Sequence, residues 1–162
     1  MTTQMLARPT TAWSRLQQLP ALWRWMEGPL NLMQSPLALL GRLFVGQAFF
    51  LSGLTKLRDW ETTLTLFSDE YHVPLLPPEL AAYMGTAGEI GLPVLLVLGF
   101  GGRFAPLGLS VVNVVAVLSL SEIAPAALQQ HISWGIVLAV LAVFGCGCWT
   151  LDHLLERPQA AQ

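Results

Sequence analysis

Apolar positions along the chain gather into four runs, Leu37 to Leu54, Leu80 to Phe100, Phe104 to Leu120 and Ile132 to Trp149. A helix rises ~1.5 Å per residue, so each run covers most or all of a ~30 Å hydrocarbon core. The third run is the shortest. Gly101, Gly102 and Arg103 leave room only for a tight turn, which predicts the second and third helices as antiparallel neighbours. The link Ser121 to His131 contains Pro125 and is also short. The link Thr55 to Glu79 is longer. In it, "LRDWETTLTLF" sets Trp60, Leu64 and Phe67 at helical spacing and predicts a short amphipathic helix across the bundle mouth. The three prolines of "VPLLPPEL" then exclude regular helix.

Ahead of the runs, the first 35 residues place Arg8, Arg15 and Arg24 among Trp13, Leu16, Leu19, Trp23, Trp25 and Met26. Arginine beside tryptophan and leucine suits a helix lying in the membrane interface, and a partly disordered tail is the alternative. Pro9, Pro20 and Pro29 argue against one long helix there. No apolar run in this zone is long enough for a signal-peptide core. The pattern thus predicts an all-α, integral-membrane four-helix bundle with an N-terminal interfacial segment. Its parts are a cytoplasmic or interfacial segment at 1–35, the bundle at 36–155 and a tail at 156–162.

Composition agrees. Of 162 residues, 54% are apolar and only 11% charged, and the mean hydropathy is +0.57. Soluble domains carry about 25% charged residues. Eight basic against ten acidic residues exclude a nucleic-acid partner, which would call for a strongly basic surface. Lipid is the expected surrounding. Four spans put both termini on one side. That side would hold Arg8, Arg15, Arg24, Arg103 and Arg157, and the other Lys56 and Arg58. The basic excess predicts cytoplasmic termini in a bacterial inner membrane.

Against this background the polar residues inside the runs are informative. A charge at the bilayer centre costs roughly 2.5–3.5 kcal/mol on insertion scales unless it is paired or faces a cavity. Glu89 shares a helical stripe with Ala82, Gly85, Thr86 and Pro93, so it is expected to face inward past small residues. Pro93 lacks the N–H that would bond the Glu89 carbonyl. On the first helix Arg42, Gly46, Phe49, Gly53 and Lys56 form one stripe. Pro106, Ser110 and Asn113 share a face of the third, and His131, Gly135, Ala142 and Gly145 one of the fourth. The expected intramembrane network is Arg42, Glu89 and Asn113, with Arg42 as main partner of Glu89 and Lys56 as the alternative. Such a pair can work chemically, or it can merely fix helix register. His72 and His131 read as interfacial polar residues.

Cys146 and Cys148 are the only cysteines. Their C-x-C spacing, near His153, could ligate a soft metal such as Cu(I), and the competing reading is a small-residue packing surface. No phosphate loop, haem-attachment motif or Ser/His/Asp arrangement is present, so no catalytic motif identifies an enzyme.

The stretches "RLFVGQAFFLSGLTKL" and "GEIGLPVLLVLGFGGRFAPLGL" resemble the DoxX family of small bacterial membrane proteins, over roughly Pro36 to Leu155. The stretch "EYHVPLLPPELAAYMGTAGE" resembles a branch whose members accompany small secreted, metal-stress-related peptides. The resemblance implies a four-helix membrane bundle with Arg42, Lys56, Glu89 and Arg103 as its polar positions, and a link to redox or sulfur metabolism. The first expectation is therefore an accessory membrane subunit supporting a redox or metal-stress system, with a membrane or periplasmic protein partner. Two rivals stay open. One is a quinone-linked oxidoreductase subunit, with Glu89 carrying protons and Phe49, Phe50 and Tyr83 against the ring. The other is a transporter-like module for copper or a small peptide complex. Quinone and copper both stay open as cofactors, and so does a homo-oligomer.

Overall fold

The computed structural model describes residues 19–156, with side chains from Glu27 onward. Among the described residues six helices are formed: α1 Leu19–Arg58, α2 Trp60–Asp69, α3 Pro78–Leu98, α4 Phe104–Ser119, α5 Pro125–Phe144 and α6 Leu151–Leu155. Among the described residues the only extended pairing is an isolated bridge between Tyr71 and Leu120. The chain divides into two units, Met1–Gln34 and Ser35–Gln162. In the first, α1 includes both Pro20 and Pro29. This corrects the expectation that these prolines prevent a long helix. Pro20 is the second residue of α1, where its missing N–H has no helical partner to lose. Pro29 leaves only the Trp25 carbonyl without its usual donor. The predicted interfacial character of Arg8, Trp13 and Arg15 falls outside the described residues.

Three helices are long and apolar enough to cross a membrane: Glu27–Arg58 within α1, Pro78–Leu98 and Pro125–Phe144. The apolar α4 has 16 residues, or ~24 Å of rise. At most a third of each long apolar window is buried inside the protein. Leu43, Phe44, Val94, Val111, Leu118, Ile136 and Val143 all point outward. An apolar exterior on this scale is stable only in lipid, so the chain is a multi-pass membrane protein in contact with the bilayer.

The second unit is a ring of four helices. α1 packs on α3 through glycine. A Cβ on Gly46 would lie 2.7 Å from Val97, and one on Gly53 2.7 Å from Ile90. Gly88 and Gly108 play the same part between α3 and α4, against Val112 and Leu92. Phe49 meets Trp134 edge-on at 5.5 Å and joins α1 to α5. Val45, Phe49, Leu96, Ala105, Leu109, Leu138 and Leu141, drawn from all four helices, make the core.

The helix ends follow local chemistry. The Asp59 side chain accepts from Thr62 N–H and starts α2 as predicted. α2 covers one mouth of the ring through a smaller cluster of Phe67, Ala81 and Ala82. Residues 72–77 are not helical, as their prolines require. Gly99 (φ 65°), Gly101 and Gly102 make the tight turn into α4. The fourth apolar run differs from expectation. α5 begins at Pro125 and ends at Phe144, because proline suits a helix start and Gly145 (φ 90°) cannot continue the helix. Gly145, Cys146 and Cys148 therefore lie in a loop.

A cavity beside the Lys56–Glu89 pair

Glu89 sits inside α3, 8% exposed, and faces α1 where Gly53 removes any obstruction. Its carboxylate accepts a 2.6 Å charged hydrogen bond from Lys56 Nζ. The ammonium also donates to Ser52 Oγ at 3.0 Å, one turn earlier on α1. Lys56 is thus held by a carboxylate and a hydroxyl, which leaves one N–H unused.

Arg42 is not the partner of Glu89. The two helices run antiparallel, with Gly46 opposite Val97 and Gly53 opposite Ile90. Gly53 lies against Glu89, and Arg42 is eleven residues earlier on α1, so ~17 Å of helix rise separates it from the level of Glu89. A guanidinium cannot span that distance. Arg42 is fully buried at the other end of the ring, donating to Val97 O (3.0 Å) and Trp149 O (2.5 Å). Val97 lies in the last turn of α3, whose carbonyls lack helical donors and carry the negative end of the helix dipole. The cation thus caps α3 and pins the 145–150 loop.

That end is tied further. Asp152 accepts from Gly101 N (3.2 Å) and Gly102 N (2.6 Å), and Cys148 N donates to Ser35 Oγ (2.9 Å). Cys146 directs its thiol at the Gly102 carbonyl. Burial pushes this thiol above its ordinary pKa, against a smaller opposing pull from Arg42. Among the described residues no three His, Cys, Asp or Glu side chains converge as metal ligands. Arg103, implied as polar by the family resemblance, is exposed at the start of α4.

Asn113 also stands apart from Glu89. It pairs with His131 across α4 and α5. Asn113 Nδ2 donates to the His131 carbonyl at 3.0 Å, and His131 Nδ1 lies 2.8 Å from Asn113 Oδ1. His131 therefore belongs to the interior of the bundle, not to a purely interfacial position. Pro125 starts α5 early enough to carry it there.

Above the ion pair the ring is open. A cavity of about 330 Å³ is lined by Lys56, Glu89, Ser52, Tyr71, Ser119 and His131 on its polar side. Val111, Val112, Val115, Met84, Leu76 and Phe67 supply apolar walls. Phe67 and Tyr71, with ring centroids 5.1 Å apart, close it from α2 and the segment that follows. Burial, then the nearby Glu70 and Glu89, push the Tyr71 phenol above its ordinary pKa, so it keeps its proton at neutral pH. The aromatics expected beside Glu89 are elsewhere. Phe49 is in the core, Phe50 lines an outer groove, and Tyr83 packs on Trp60 at 4.7 Å.

The geometry joins two of the four expected polar residues, Lys56 and Glu89, and adds His131, Tyr71 and Ser52. His131 had a usable signal. Asn113 and His131 each stand nine residues from Glu122, the middle of a short antiparallel link, so the two stand at one level. Tyr71 had none, because its position depends on how residues 70–77 fold back.

Searches of curated proteins and of solved structures find no match to this chain. A family model does match, described as DoxX, over residues 37–122. That segment runs from the start of the first apolar run past the end of α4 and contains Arg42, Lys56, Glu89 and Asn113. It covers more than half of the chain, and the chain belongs to the DoxX family.

Proposed function

We propose that this DoxX protein is an inner-membrane subunit that supports a redox system by holding a small amphipathic molecule of the quinone class. The observation that carries the reading is the cavity beside the Lys56–Glu89 pair. A pair that only fixed helix register could be packed over on every side. This one opens onto about 330 Å³ of space with apolar walls. Concave, largely apolar sites with a few convergent polar groups are where small molecules bind.

The donor set suits a quinone. Lys56 has one N–H beyond those used by Ser52 and Glu89, and Tyr71 carries a second donor, so two carbonyl oxygens can be met. The valines of α4 would take the ring and the start of its tail. A bound quinone supplies two-electron, two-proton carrier chemistry. The chain's own residues orient it: Glu89 holds the Lys56 ammonium in place, and Phe67 and Tyr71 limit access of water. Copper handling is less well supported, because Cys146 and Cys148 lie at the opposite, tied end. The five-to-two basic bias supports cytoplasmic termini, in which case the cavity mouth would face the periplasm, where a protein partner could reach α2.

The test is purification in mild detergent, lipid extraction for bound quinone, and titration with a short-chain benzoquinone. Binding should weaken about tenfold or more in Lys56→Met and Glu89→Gln, as expected for loss of a charged hydrogen bond. A wild-type protein that neither carries nor binds quinone overturns the proposal.

A further inference from the structure

Two contacts fix the protonation of one residue in the cavity wall. The carbonyl of His131 can only accept, so the Asn113 group facing it at 3.0 Å must be the amide nitrogen. This turns Asn113 Oδ1 toward His131 Nδ1 at 2.8 Å. A carbonyl oxygen also can only accept, so Nδ1 must carry the ring proton. In the neutral imidazole Nε2 is then a bare acceptor. Nε2 makes no hydrogen bond within the described residues, and the ring packs edge-on to Trp134 at 5.0 Å. His131 lines the cavity whereas Asn113 does not, so the Nδ1 edge faces away from the space and the Nε2 edge is left to it.

A second acceptor lies in the same wall. Lys56 engages Glu89 Oε2, and Oε1 has no partner among the described residues. Ser119 also lines the cavity but already spends its proton on Val115 O at 2.6 Å, so its oxygen too can only accept there.

We infer that His131, positioned by Asn113, is a specificity-determining residue that makes the cavity select molecules bearing a hydroxyl, such as the reduced form of the proposed quinone. This rests on the reading of the cavity as a ligand site. A ligand with carbonyls alone satisfies Lys56 and Tyr71 and leaves Nε2 and Glu89 Oε1 unmatched. A hydroxyl supplies the missing donor. Buried acceptors left unpaired are costly, so the hydroxylated form should bind more tightly.

The probes are para-pentylphenol and its methyl ether, which share ring and tail, the ether carrying a methyl group in place of the proton the phenol can give. Both are titrated by calorimetry into the full-length protein in one detergent. The phenol should bind roughly 5- to 10-fold more tightly than the ether, the range expected for one hydrogen bond. In His131→Leu the preference should shrink to the part owed to Glu89 Oε1, while ether affinity stays or rises. In Asn113→Ala, where the ring is free to take either tautomer, part of the preference should be lost. Nitrogen NMR of the labelled imidazole gives a readout independent of any variant. Nε2 should resonate as the unprotonated nitrogen and move when the phenol, but not the ether, is added. Equal binding of the two probes, or a proton found on Nε2, overturns this inference and leaves the ligand site standing. Failure of both probes to bind overturns the ligand site with it.

Discussion

Lys56 and Glu89 stand 2.6 Å apart, with side chains only 18% and 10% exposed. At an effective dielectric near 20, two unit charges at that spacing attract by ~6 kcal/mol before desolvation is subtracted. Taking away one partner of a buried pair costs about 3–5 kcal/mol, since the other is left alone. The cavity lets the survivor find some solvation, so the lower end applies, about 3 kcal/mol for Glu89→Leu. Lys56→Met should cost about as much. The double variant removes both charges and should lose much less than the two single losses together, giving a coupling energy of about 2 kcal/mol or more. The assay is unfolding of all four proteins by SDS titration in one mixed-micelle system. A parallel cycle with Arg42→Met and Glu89→Leu is the control. The ~17 Å of helix rise between those residues predicts additivity within about 0.5 kcal/mol. Additive losses for Lys56 with Glu89, or strong coupling of Arg42 with Glu89, would refute the register of α1 on α3.

Three further outcomes are expected. Arg42→Lys should destabilise by about 2–3 kcal/mol, because one ammonium cannot reproduce the fork that reaches both Val97 O and Trp149 O, and the same titration reads it. Gly99→Ala should be among the most damaging glycine changes, since φ is 65° and the added Cβ would lie 2.5 Å from Thr150, whereas Gly91→Ala meets nothing within 4 Å and should leave the unfolding midpoint unchanged or raised. Iodoacetamide should modify exposed Cys148 ahead of half-buried Cys146, and the Cys146 rate should keep rising well above neutral pH, because burial holds that thiol protonated; mass spectrometry of single-cysteine variants over a pH series checks both.

Much of the architecture could be read from pattern alone. Apolar run length marks the spans, and the spacing of Trp60, Leu64 and Phe67 marks α2. The inward placement of Glu89 follows from the small residues on its stripe. The polar partners were harder for a definable reason. Arg42 and Lys56 lie on one stripe of α1, and stripe membership says which side a residue faces, not what it stands level with. Level is set by the register of α1 against α3. A long link joins those helices, so their ends do not fix the register. The glycine contacts at Gly46 and Gly53 do, and they exist only once the helices have packed. Between α4 and α5 the link is short and the register can be counted. There the error came from starting α5 at Ile132, which treated Pro125 as a breaker when it is a helix opener.

The Arg42 anchor also constrains the order in which the molecule can be built. Its two acceptors are 55 and 107 residues further along the chain. During synthesis α1 reaches the translocon with its guanidinium unsatisfied, a burden of roughly 2.5–3.5 kcal/mol on insertion scales. Val97 O relieves part of this when α3 enters. The remainder waits for Trp149, which follows α5. Nascent chains stopped before Trp149 would therefore hold a half-satisfied cation, and membrane quality-control proteases would find them easier to extract than chains that include it. The segment after α5 is in this sense a latch that records assembly of the four-helix ring.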